Sequence, residues 1–151
     1  MKTVKGDLIE LAKQGAFDVI IHGCNCFCSM SGGIARTIKQ EFPAAFAADL
    51  KTTPGDKEKL GSYTSAKAKS RKGDLIIINA YTQYDYKGAG TLADYEAVKS
   101  VFRQLKTDFT GLRIGYPAIG AGLARGDWDI ISIIIKAELQ GEDHTFVEYR
   151  I

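Results

Sequence analysis

The sequence predicts an α/β fold: a largely parallel sheet covered by helices on both faces. Three observations carry that prediction. Short apolar runs alternate with segments of helical period along the chain, the order expected of strand–helix–strand units. The run at 18–23 (DVIIHG) is continuously apolar rather than alternating, the mark of a strand buried on both faces, and 74–82 (DLIIINAYT) is the strongest strand in the chain. The chain has 151 residues, 45% of them hydrophobic and 25% charged, enough for one domain, 1–151, to bury its own core.

The elements follow in order. Residues 2–5 read as a first strand, and Leu8, Ile9, Leu11 and Ala12 as a short helix behind Gly6-Asp7. After the strand at 18–23, Ile34, Ile38 and Phe42 recur at helical spacing until Pro43 ends or bends the helix. Residues 44–50 suit another turn or two before a polar link at 51–59, and 61–66 suit an edge strand. Beyond the strand at 74–82, Leu92, Tyr95, Val98, Phe102 and Leu105 share one face of a helix over 91–109, with Thr91 and Asp94 as its capping box. Residues 112–119 form a strand, 120–126 a glycine-rich loop, 127–139 an apolar helix and 145–151 a closing strand.

Composition narrows the function classes. Net charge is only +2, with 20 basic residues scattered among 18 acidic ones, so neither a nucleic-acid surface nor membrane attraction is expected. The one basic cluster, KAKSRK at 67–72, reads as a solvated turn beside a strand. No apolar run approaches the ~20 residues that span a bilayer, and the opening MKTVKGDLIE lacks a secretory apolar segment. Cys24, Cys26 and Cys28 cannot all pair, which fits a reducing, cytoplasmic setting. A monomer is expected.

Two glycine-rich loops mark the functional end. In parallel sheets the ligand crevice lies beyond the carboxyl ends of the strands; residues 23–33 and 119–127 have that location. Ser31-Gly32-Gly33 opens one helix and Gly120-Ala121-Gly122 through Gly126 precedes another. Helix N-termini present unpaired N–H groups, and glycine lets backbone approach an anion, so a diphosphate site is expected. The cysteines have the wrong spacing for zinc, and Cys24 and Cys26 read as packing residues, Cys28 as an exposed loop thiol. No metal or cofactor is called for. His22 ends an apolar strand beside the anion loop, where a core histidine and a site residue both fit. Asn25 suits sugar hydroxyls or a turn; Asp7 suits a helix cap or an adenine amino group. Asp127 has two equal readings, N-cap of the last helix or acid–base group. Tyr84 or Tyr86 could wall a nucleotide-sized pocket, or lie on a surface loop.

With these parts in order, the chain resembles a macro domain, the ADP-ribose-binding module, over essentially its whole length. The matching pieces are GDL at 6–8, VIIHGCNC at 19–26, SGGIA at 31–35, PAIGAGLARGDW at 117–128 and TFVEYRI at 145–151. The resemblance implies a three-layer α/β/α sandwich around a mixed, mostly parallel sheet of about six strands. It places Asp7 and Leu8 at the adenine, Asn25 at the distal ribose, and Ser31, Gly32, Gly33 and Ile34 in the first phosphate-side loop. Ile119, Gly120, Ala121, Gly122 and Leu123 would wrap the diphosphate. The segment IHGCNC…SGGIA is similar to the branch of ADP-ribose 1″-phosphate phosphatases, and GAGLARGDW with VEYRI to terminal ADP-ribose-protein glycohydrolases. The lysine and aspartate of that glycohydrolase type are replaced here by the stretch Ala80–Gln83 and by Ala124. Many macro domains carry asparagine where His22 stands. The resemblance therefore implies hydrolysis of ADP-ribose 1″-phosphate, with His22 and Asp127 sharing the handling of water and leaving oxygen. Release of ester-linked ADP-ribose from macromolecules, or noncatalytic reading of ADP-ribose, are its alternatives.

Overall fold

The computed structural model describes residues 1–150. Its sheet is built from β1 (Lys2–Gly6), β2 (Val19–Cys24), β3 (Tyr63–Ser70), β4 (Gly73–Tyr81), β5 (Ile114–Tyr116) and β6 (His144–Tyr149). Five helices complete it: α1 (Leu8–Lys13), α2 (Gly33–Glu41), α3 (Pro43–Leu50), α4 (Tyr95–Asp108) and α5 (Trp128–Glu138). The six strands lie in the order β1-β6-β5-β2-β4-β3. All neighbours are parallel except β3, which runs antiparallel on β4. This is the mixed, mostly parallel sheet of six strands that the resemblance implied.

The layering follows from side-chain alternation on the buried strands. In β2, Ile20 packs with Ile9 of α1, Ile38 of α2 and Ala45 of α3. Its neighbours Val19 and Ile21 face the other way, onto Val98 and Phe102 of α4 and Ile131 and Ile135 of α5. Ile77 and Ile78 divide in the same manner on β4. Two hydrophobic layers thus clamp one sheet. The Asp18 carboxylate takes Arg113 N–H and guanidinium bonds at 2.8–3.2 Å, joining the entry of β2 to that of β5 and holding its own pKa below the usual value.

Several boundaries differ from expectation for local reasons. Helix α4 starts at Tyr95, because the Asp94 carboxylate accepts from Ala97 N–H at 3.0 Å and takes the N-cap itself. Thr91 bonds instead to the Arg125 carbonyl. The strand expected at 112–119 shrinks to Ile114–Tyr116, since Pro117 cannot donate to a ladder. The edge strand extends through Ser70, so much of KAKSRK is strand rather than turn. Lys67 and Lys69 there are exposed, a common guard against edge-to-edge pairing. The closing strand ends at Tyr149; Ile151 lies outside the described residues.

Candidate functional site

Five parallel strands deliver their carboxyl ends to one rim, where two adjoining cavities open. The first, about 270 Å³, is walled by the segments 23–35 and 117–124 together with Gln83 and Tyr86. The second, about 440 Å³, lies between Gly6–Ile9 and Val147–Tyr149. Gly33, Ile34 and Pro117 line both, making one cleft along the strand ends.

The cleft's central feature is unpaired backbone. Three helices begin with an aspartate whose carboxylate accepts a first-turn N–H: Asp7 from Glu10, Asp94 from Ala97 and Asp127 from Asp129. Helix α3 begins with Pro43. Helix α2 begins with Gly32, which has no side chain to cap it. Among the described residues, the N–H groups of Gly33, Ile34 and Ala35 donate to no protein acceptor. The same holds for Gly120, Gly122 and Leu123 across the cavity. The second loop is folded tightly, Gly126 N–H bonding the Gly120 carbonyl at 2.7 Å. A Cβ on Gly126 would sit 2.5 Å from that carbonyl oxygen, so no other residue closes the turn. Arg125 ties this loop to the Gly88 and Gly90 carbonyls at 2.6 Å. Such convergent amides form an anion cradle.

Among the described residues, no lysine, arginine, histidine, aspartate or glutamate lines the first cavity. Its side-chain polarity comes from Asn25, Ser29, Ser31, Gln83, Tyr86 and Cys24. The Asn25 amide is partly engaged by its own loop, donating to Ser29 O at 2.9 Å and accepting from Phe27 N–H at 2.8 Å. One of its N–H groups remains for a ligand.

Most residues singled out in the sequence border this cleft. Asn25, Ser31, Gly32, Gly33, Ile34, Ile119, Gly120, Gly122 and Leu123 line the first cavity, Asp7 and Leu8 the second. Ala121 does not; its N–H turns back to Ala118 O. The expected acid–base pair is not assembled. His22 is completely buried and lines neither cavity. Its Nε2 lies 2.7 Å from Asn79 Oδ1. Asn79 Nδ2 donates to Ala45 O and Thr64 Oγ1, so Oδ1 accepts and His22 carries its proton on Nε2. Burial pushes the imidazole pKa down to about 4. Asp127 faces its own helix as an N-cap and also lines neither cavity.

Cys24 and Cys26 are not poised as nucleophiles. Burial raises Cys24 well above the ordinary thiol range and Cys26 to about 11, so both are protonated at neutral pH. Cys28 is half-buried rather than exposed, its sulfur 3.2 Å from Asp49 O and 3.6 Å from Lys59 Nζ. Lys59 is itself buried, bonded to Cys26 O, and props the loop from behind. Gln83 was overlooked in the sequence, although it directly follows the strand with the strongest signal, where the strand-end rule points.

The macro domain sequence profile matches residues 21–135. The chain belongs to the macro domain family. It is 36% identical over 140 residues to an uncharacterized 17.5 kDa protein in the tk-vs intergenic region of Enterobacteria phage T4, covering 89% of this chain and 87% of that one. A shorter stretch of 46 residues is 48% identical to an ADP-ribose 1″-phosphate phosphatase of Aspergillus oryzae, covering 30% of this chain and 21% of that enzyme. In structure, this macro domain is similar to Thermosipho africanus DarTG in complex with ADP-ribose, with TM-score 0.72 and 15% identity. That likeness covers the whole of this chain and 42% of the other.

Proposed function

We propose that this macro domain binds ADP-ribose along its strand-end cleft and hydrolyses the phosphate ester of ADP-ribose 1″-phosphate. The observation that carries the binding is the two facing rows of free amides at the middle of the cleft. They suit a diphosphate, and the cleft continues on either side of them. Asp7 follows β1 and Gln83 follows β4, four strand positions apart in the sheet. At ~4.8 Å per strand that is about 19 Å, a length suited to a nucleoside diphosphate carrying a second sugar. One Asp7 oxygen caps α1; the other is available to an adenine amino group. The match to the Aspergillus phosphatase supports the choice of ester.

In this reading the amides bind and orient the diphosphate, which fixes the distal sugar beside Asn25. Since no titratable carboxylate or imidazole lines the first cavity, rate enhancement rests on positioning and on charge stabilisation by the amides. His22 and Asp127 act as positioning residues. His22 supports the end of β2 through Asn79, and Asp127 fixes the start of α5 behind the second loop. The same lack of an acid–base wall favours a second reading, an ADP-ribose reader without turnover.

Calorimetric titration with ADP-ribose, followed by phosphate release from its 1″-phosphate and ADP-ribose release from an ester-linked macromolecule, tests these assignments. Binding with phosphate release is the expected result. Binding with no turnover on either substrate would establish the reader, and no binding would reject the site altogether.

A further inference from the structure

The unpaired backbone amides of the two loops at the middle of the first cavity are all donors, and the Ser29 and Ser31 hydroxyls bond each other at 3.1 Å. A ligand that continues past the diphosphate as a sugar presents hydroxyl hydrogens, and these need an acceptor. The Asn25 oxygen already accepts from Phe27 N–H. Gln83 is held differently. Its Nε2 donates to Asp85 O at 2.9 Å, which fixes the amide's orientation and leaves Oε1 without a protein partner. Its backbone is pinned on both sides, by a bridge to Ala93 and by the Cys26 thiol on its carbonyl. The side chain lines the cavity on the side of β4, away from the adenine end.

We infer that Gln83 is a specificity residue, whose Oε1 accepts a hydroxyl of the sugar beyond the diphosphate and so separates ADP-ribose from ADP. The inference rests on the ADP-ribose reading of the cleft. A neutral amide held in one orientation does this without repelling the nearby phosphates, as a carboxylate would. Gln83 is half-buried, and an acceptor that the longer ligand satisfies and the shorter one does not reach discriminates between the two.

The test is the ratio of ADP-ribose to ADP affinity, by calorimetry, in the intact protein and in Gln83→Leu and Gln83→Glu. Leucine keeps the bulk and removes the acceptor. ADP-ribose should weaken about tenfold, roughly 1.4 kcal/mol, with ADP within about twofold, so that the ratio falls. Glutamate keeps an acceptor but adds charge; both ligands should weaken while the ratio survives. An unchanged ratio in Gln83→Leu, or equal loss for both ligands, overturns the role of Gln83 alone. Failure of the unaltered protein to bind ADP-ribose overturns this inference together with the site it rests on.

Discussion

At the scale of single residues, two buried polar groups behind the cleft separate stability from chemistry. Thr82 is fully buried and its hydroxyl has no partner among the described residues. Thr82→Val removes a group that makes no hydrogen bond, so it should raise stability by about 1 kcal/mol, read as a higher denaturation midpoint. His22 is the converse. Its loss would leave a cavity and strand Asn79 Oδ1, so His22→Ala should cost about 2–4 kcal/mol in urea unfolding. Under conditions where the variant is folded, ADP-ribose affinity should stay within a few-fold; loss of ligand binding with unchanged stability would refute the positioning role. The sequence placed His22 at the crevice because it closes the apolar run of that strand, although β2 continues through Cys24. Strand alternation, however, turns it onto the α3 side with Asn79, and no local pattern reports which face of a doubly buried strand a residue takes.

At the scale of elements, the contrast among helix starts is a division of labour. Aspartate caps stabilise α1, α4 and α5, whereas α2 leaves its first amides open at the cavity. Gly32 has extended backbone (φ −134°, ψ 159°), a conformation in which aspartate caps readily. A Cβ there meets only the tip of the exposed Leu123 side chain. Gly32→Asp should therefore hold or raise the melting temperature, by up to about 1 kcal/mol of stability. At the same time it should weaken ADP-ribose at least tenfold, by covering the amides and adding a negative charge. A variant that binds normally would remove α2 from the anion site. Both glycine loops were legible in the sequence because glycine pairs at strand–helix junctions have few other uses. The capping role of Asp127 was harder to settle, since an aspartate before a helix looks the same whether it caps or catalyses.

For the whole molecule, acid should be the weak direction. Burial holds His22 at about 4 against an ordinary 6.5, and His144, bonded to Tyr116, is lowered likewise to about 4. Both are neutral in the folded state and protonate more easily when unfolded. Their contribution is complete above about pH 6.5 and is lost as pH falls toward 4; for His22 it is on the order of 3 kcal/mol. Chemical denaturation at pH 7.5, 6 and 5 should show a falling midpoint, and a flat profile would mean that these rings are solvated. The overall layering was readable because apolar runs, helical spacing and turn glycines agreed at every level. Cleft depth and the burial of Lys59 depend on packing between distant segments and left no local trace.

A phosphate grip made of peptide dipoles has a consequence for how the protein meets its surroundings. With no ammonium or guanidinium in the pocket wall, attraction is short-ranged, and mobile counter-ions have little to compete for. Raising sodium chloride from 50 to 500 mM should alter the dissociation constant only a few-fold. The recognition property then belongs to the bend of the chain itself, so that related sequences can exchange most surface side chains freely while leaving it intact.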